Sequence, residues 1–255
     1  MKISGLLASL LGLAMVAATC LPANAQSKLR IATEGAYPPF NSVTADGKIV
    51  GFDVDIANAL CARLKVECEI VAQDWDGLIP GLQAGKFDMI VASMTITDER
   101  KKQIAFTHKY YATPFSLVAP KASDLSGTVA AAFKGKALGA QASTVLGDYA
   151  QKVYGKAGAD VKLYPSQEEA MADLMNGRLD AVLSDKFFLM SWLNGVDGAC
   201  CRMLGDIEGT AAEAGIGVRL DNTELRDSLN AALDAIIADG TYRKIQAKYF
   251  DFDIY

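Results

Sequence analysis

Ala84-Gly-Lys-Phe-Asp-Met-Ile-Val-Ala-Ser93 and Asn176-Gly-Arg-Leu-Asp-Ala-Val-Leu-Ser-Asp185 are two copies of one pattern. Each has a glycine suited to ending a helix, then one cation, a hydrophobe, an aspartate and an apolar run. Helix–Gly–strand junctions are common in α/β proteins, so one copy alone carries little weight. Two copies, with Asp88 and Asp180 separated by 92 residues, predict two similar α/β lobes of roughly 100 residues each. The continuous apolar run Phe87 to Ala92 predicts a strand covered on both faces. Ser93 and Asp185 close the two strands. Ligands of open α/β sheets bind beyond the carboxyl ends of the strands. Facing lobes would therefore set Ser93 and Asp185 on opposite walls of one cleft.

The flanking sequence continues the alternation. A strand is expected at Leu29–Thr33, followed by Gly35 and Pro38-Pro39, then a helix from about Asp53 with Ile56, Leu60 and Leu64 on one face. Cys68–Ala72 reads as a strand, Gly77–Ala84 as a short helix, and Ala137–Ala140 as a strand leading to a helical stretch from Val145. A strand at Gly215–Leu220 precedes a helical tail, Asn222 to Tyr249, interrupted at Gly240. The expected class is α/β, each lobe a mainly parallel sheet flanked by helices.

Composition excludes more than it identifies. With 25 Lys+Arg against 30 Asp+Glu and a net charge of −5, the chain lacks the basic excess of a nucleic-acid binder. Residues 1–25 read as a secretory signal peptide: Lys2, an apolar run to Ala18, and Ala23-Asn24-Ala25 as cleavage site. Pro22 ends the run short of a membrane span, and Ala-Ala-Thr before Cys20 is a poor lipoprotein signal. Cleavage after Ala25 would leave 230 residues with net charge −6, exported to an oxidising compartment. Cys61 and Cys68 are then good disulfide partners; a metal pair is the weaker reading, with no histidine nearby. Adjacent Cys200 and Cys201 are either two thiols or a vicinal disulfide.

Several residues could carry chemistry. Thr97 is a plausible N-cap, with Asp98 and Glu99 suited to a first helical turn. Arg100 is not suited to it. It either pairs with those acids in solvent or grips a carboxylate beside the Ser93 strand end. Ser143 or Thr144 would cap the helix from Val145, leaving N–H groups free for an anion; capping alone explains both residues equally well. Tyr37 and Trp75 are either core aromatics or a pair that sandwiches a ligand chain. Glu34 is either a solvated loop residue or the contact for a positive group. His108, the single histidine, reads as structural. Phosphate-binding, nucleophile-elbow, dinucleotide and zinc-protease motifs are absent from the sequence, and neither cofactor nor metal is expected.

Five segments together resemble the periplasmic amino-acid-binding proteins of ABC importers, the family-3 solute-binding proteins. They are Glu34-Gly-Ala-Tyr-Pro-Pro-Phe40, Gly51-Phe-Asp-Val-Asp-Ile56, Trp75-Asp-Gly-Leu-Ile-Pro80, Ser93-Met-Thr-Ile-Thr-Asp-Glu-Arg100 and Asp239-Gly-Thr-Tyr242. Cys61, Cys68 and the ending Lys248 to Asp253 look most like the lysine/arginine/ornithine and histidine binders. Trp75 within Gln-Asp-Trp-Asp is also similar to the opine binders. The resemblance implies a two-lobed periplasmic-binding-protein fold of type II, non-enzymatic and monomeric. Residues 26–112 and 214–255 would form one lobe and 113–213 the other, with hinge crossings near Tyr111–Phe115 and Gly209–Gly215. It makes Arg100 the clamp for an amino acid's α-carboxylate, helped by Ser93, Thr95, Ser143 and Thr144, and Asp185 the partner of the α-ammonium. Tyr37 and Trp75 become aromatic walls, and Glu34 meets a distal cation. The implied partners are a cationic amino acid, an inner-membrane permease and, compatibly, a chemoreceptor. An opine ligand and a dehydratase on the same fold are the alternatives. Ala92, Ala140 and Val145 depart from the family pattern; a small Ala140 beside Trp75 would reshape the side-chain pocket.

Overall fold

Two five-stranded sheets carry the chain in a computed structural model that describes residues 28–255. The signal-peptide reading falls outside the described residues. In chain order the first part runs β1 (Lys28–Thr33), β2 (Ala36–Tyr37), β3 (Asn41–Val43), β4 (Ile49–Val50), α1 (Phe52–Leu64), β5 (Glu67–Ala72), α2 (Trp75–Gln83), β6 (Met89–Ile90), α3 (Asp98–Lys101) and β7 (Ile104–Thr113). The middle part comprises β8 (Phe115–Pro120), β9 (Ala137–Gln141), α4 (Val145–Tyr149), β10 (Asp160–Tyr164), α5 (Gln167–Met175), β11 (Ala181–Asp185), α6 (Lys186–Asn194) and β12 (Cys201–Asp206). Then follow β13 (Ala212–Arg219), α7 (Thr223–Ala238) and α8 (Thr241–Gln246).

The first sheet has the order β5-β1-β6-β13-β7 and the second β10-β9-β11-β8-β12. In each, four strands run one way and one, β13 or β8, runs opposite between its two neighbours. The chain leaves the first sheet at Pro114, between β7 and β8, and returns between β12 and β13. This is a two-lobed α/β fold.

The repeated decapeptide occupies equivalent places. Asp88 accepts a side-chain hydrogen bond from the Arg30 amide at 2.9 Å, while its own N–H donates to the Arg30 carbonyl. Asp180 does the same to Ala137, its carboxylate at 2.7 Å from the amide. Each aspartate thus ties the start of its strand, the central one of the sheet, to the parallel strand beside it, β1 or β9. Gly85 and Gly177 take the same left-handed turn, φ 69° and 70°, a conformation in which a Cβ is penalised. The paired aspartates are structural, and the residues five positions later reach the cleft.

The strand expected over Phe87–Ala92 pairs only at Met89–Ile90. The whole run is buried as read, but the backbone leaves the ladder before Ser93, which is left-handed at φ 53°. The tail divides as expected, at Asp239–Gly240, and its last helix ends at Gln246 rather than Tyr249. Ile56 and Leu60 of α1 join Leu229, Leu233 and Ile236 of α7 in the largest hydrophobic core, which continues through Tyr37 and Phe188 into the second lobe. Cys61 and Cys68 form a disulfide with Cα atoms 6.2 Å apart, closing a loop for about 2–3 kcal/mol in the chain-entropy account. Cys200 and Cys201 are joined to each other.

Candidate ligand-binding cleft

Beyond the carboxyl ends of both sheets lies a cleft between the lobes, where ligands of open α/β sheets bind. Glu34, Tyr37, Trp75, Ser93, Thr95 and Arg100 line it from the first lobe, and Thr144 and Asp185 from the second. Eight of the nine residues singled out from the sequence therefore meet there. Ser143 sits on the rim, lining two neighbouring openings that it shares with Arg100.

Arg100 does not pair with Asp98 or Glu99. Asp98 pairs with Lys101. Thr97 caps the short helix α3, accepting from the Arg100 amide at 3.1 Å, and this turns the guanidinium inward. Its Nη1 donates to the Thr95 carbonyl at 2.9 Å, and its plane lies over the Trp75 ring, 5.3 Å from the centroid. Burial pulls the guanidinium down to about 10, with Asp148 opposing, so it stays charged at neutral pH. Among the described residues no carboxylate forms an ion pair with it.

The opposite end is acidic. Asp185 ends β11 with its side chain buried; Oδ2 accepts from the Tyr37 hydroxyl at 2.7 Å, and Oδ1 is buried with no hydrogen-bond partner. Such an orphan is costly in a folded protein. Burial pushes this carboxyl up to about 6, against the hydrogen bond from Tyr37.

Tyr37 lines the cavity with its ring stacked on Phe188, centroids 4.5 Å apart, and it orients Asp185 through its hydroxyl. Trp75 heads α2 and is the half-buried aromatic of the two. Its indole Nε1 donates across the cleft to the Ser143 carbonyl at 2.9 Å. Ser143 is left-handed at φ 56°, which aims that carbonyl at both Trp75 and Arg100. The helix cap is Thr144, whose hydroxyl accepts from the Gly147 amide at 3.0 Å. Two non-glycine residues with positive φ thus belong to the cleft, Ser93 in its lining and Ser143 on its rim, a common placement for backbone strain.

Glu34 is buried rather than solvated. Its Oε1 accepts from Gln141 Nε2 of the other lobe at 2.6 Å. Burial is the main cause that lifts its carboxyl to about 7; Gln141 pulls it down, and Glu168, Asp74 and Asp76 push it further up.

Ala92 and Val145 line the cavity. Ala140 does not: it faces the second-lobe core with Leu138 and Leu183. Strand alternation gives the cleft to its neighbour Gln141 instead, so Ala140 does not shape the side-chain pocket. Gln141 was missed, although a polar residue closing the apolar run Ala137–Ala140 was a usable signal. Among the described residues no cluster of three or more His, Cys, Asp or Glu could hold a metal, and no helix is long and apolar enough to cross a membrane.

A hinged pair of α/β lobes around a cavity with a cationic and an acidic end defines a receptor for a small zwitterion. The chain belongs to the bacterial extracellular solute-binding proteins, family 3, whose model matches residues 29–252. It is 44% identical to the L-arginine-binding protein of Pseudomonas aeruginosa over 97% of both chains. It is 39% identical to the lysine/arginine/ornithine-binding periplasmic protein of Escherichia coli over 89% of both. An ancestral arginine-binding protein bound to arginine superposes with a TM-score of 0.82 at 38% identity, covering 88% of this chain and 98% of that one.

Proposed function

We propose that this chain is the binding component of an ABC importer, capturing a cationic L-amino acid (arginine, lysine, ornithine or histidine) and delivering it to an inner-membrane permease. The observation that carries this reading is the charge layout of one cavity. Among the described residues Arg100 stands at one end without an ion-pair partner, the Asp185 carboxylate has one oxygen unpartnered, and a second buried carboxylate, Glu34, has no cation. An α-carboxylate fits the first, an α-ammonium the second, and a positive side chain the third. Ser93, Thr95 and Thr144 add polar contacts around the carboxylate, and Trp75 offers its face to the aliphatic stem. The relatives' ligands, arginine and lysine, carry these three charges.

The lobes in this reading are residues 26–112 with 214–255, and 113–213, closing about the two connections between the sheets. The protein acts in the periplasm after cleavage behind Ala25, as a monomer without catalysis, since holding and releasing a zwitterion needs no proton shuttle. Calorimetry of protein unfolded, stripped of ligand and refolded is expected to show binding of cationic amino acids in preference to neutral ones. Binding of none of the twenty amino acids, nor of opines, overturns the reading.

Trp75→Phe separates wall from latch, because it keeps a ring while removing the donor to Ser143. One hydrogen bond contributes about 0.5–1.5 kcal/mol net, so arginine is expected to bind ~2- to ~12-fold more weakly. Stopped-flow measurements should place most of that change in faster dissociation. Unchanged dissociation would mean that the Trp75–Ser143 bond does not hold the lobes together.

A further inference from the structure

Asp53 lies in the first turn of α1, where an exposed aspartate ordinarily complements the helix dipole. Here it is completely buried instead. Three donors converge on it: Asn41 Nδ2 at 2.8 Å and Ser93 Oγ at 3.0 Å on Oδ2, and the Tyr110 hydroxyl at 2.7 Å on Oδ1. Among the described residues no cation pairs with it. A carboxylate in that position is expensive, and an apolar residue would satisfy packing alone.

The donors lead to the cleft. Ser93 lines the cavity, and besides its hydroxyl bond to Asp53 its backbone amide donates to the Tyr110 hydroxyl oxygen at 2.9 Å. Both bonds hold a residue whose left-handed φ is otherwise unfavourable. Asn41 turns its Oδ1 the other way, accepting from the Gly35 amide at 2.7 Å, one residue after Glu34. Asp53 thus joins, directly on one side and through Asn41 on the other, the two first-lobe segments that carry Ser93 and Glu34.

We propose that Asp53 is a positioning residue: its hydrogen-bonded hub fixes Ser93 and the Glu34–Gly35 turn in binding geometry before a ligand arrives. The consequence for affinity rests on the amino-acid-binding reading above; the consequence for the ligand-free backbone does not. Asp53→Asn keeps shape but leaves a donor facing a donor. If the new amide points toward Asn41, two NH2 groups meet; if it points toward Tyr110, the phenol proton loses its acceptor. Exchanging the two residues, Asn41→Asp with Asp53→Asn, restores every pairing. The new carboxylate accepts from Gly35 and from the new amide, which also reaches Ser93, while its carbonyl takes the Tyr110 proton.

In ligand-free Asp53→Asn, hydrogen exchange at the Gly35 and Ser93 amides is expected to accelerate at least ~10-fold, without comparable change in β5 or α7. Affinities for arginine and glutamine, measured where circular dichroism shows the folded protein, should both fall at least ~10-fold. The exchanged pair should return exchange and affinity to within about threefold of the parent. Tyr110→Phe supplies the same test should Asp53→Asn not fold: exchange accelerates at Ser93 and stays slow at Gly35. Parent-like exchange in the variants, or an exchanged pair no better than Asp53→Asn, overturns the proposal. If the parent protein binds no amino acid, the function reading fails while the exchange result still decides this one.

Discussion

An Asp185→Asn protein is expected to lose ~30- to ~4,000-fold in affinity for every α-amino acid it binds, while its ligand-free form gains stability above pH 6. The first effect follows from removing one member of a buried ion pair, which costs about 2–5 kcal/mol. Asparagine keeps the volume and an acceptor for Tyr37, so the change falls on the buried Oδ1, the atom with no hydrogen-bond partner among the described residues. The second effect follows from burial, which raises the carboxyl from 3.8 to about 6. With the folded value above the unfolded one, this group's contribution to stability is fully present below pH ~4 and is lost as pH rises through 6. At pH 7.5 the ionised form costs on the order of 2–3 kcal/mol, and relief of that cost should raise the ligand-free Tm by about 4–10 °C. Ligand binding and ligand-free stability thus move in opposite directions. Calorimetric titration and thermal melts on the same preparation check both. Parent-like affinity would remove Asp185 as the ammonium partner, and an unchanged Tm would show that the unpartnered oxygen costs nothing.

The same separation of roles explains what was legible in the sequence. The decapeptide repeat carried the fold because Gly85/Gly177 and Asp88/Asp180 perform local backbone work that any such βα junction demands. Ser93 and Asp185 were legible as site residues because the strand-end rule depends on topology alone. Asp53 was not, since an aspartate in a first helical turn has the same pattern whether it faces solvent or a buried tyrosine. Ala140 was placed at the pocket and Gln141 was missed for a related reason. Side chains alternate along β9, and which neighbour faces the cleft is set by its pairing with β10 and β11. The alternatives for Glu34 and Tyr37 stayed open in the sequence because the contacts that bury them come from the opposing lobe, through Gln141 and Phe188. Contacts across a cleft leave no periodicity in the chain.

In the proposed reading Glu34 sets the choice between cationic and neutral side chains, and its effect should then be visible in protons as well as in affinity. The carboxyl is buried and raised to about 7 in the ligand-free protein, so near pH 6 it is mostly protonated. A guanidinium or ammonium beside it requires the ionised form. Arginine binding at pH 6 should therefore release about one more proton than glutamine binding, and arginine affinity should fall about tenfold between pH 7 and pH 6. Glutamine affinity should change less over that interval, because only Asp185 titrates against it. The ligand-free protein has the matching sign: Glu34's contribution to stability is present below pH ~4.5 and is lost as pH rises through 7, and arginine offsets that loss. Glu34→Gln should weaken arginine binding at pH 8 by at least ~30-fold, leave glutamine within about threefold, and abolish the extra proton. Calorimetry in buffers of different ionisation enthalpy reads the proton count directly. Equal losses for arginine and glutamine would make Glu34 a partner of Gln141 in lobe closure and not a contact for the ligand's cation. An extra proton that persists in the variant would have to come from another of the carboxylates near the cleft.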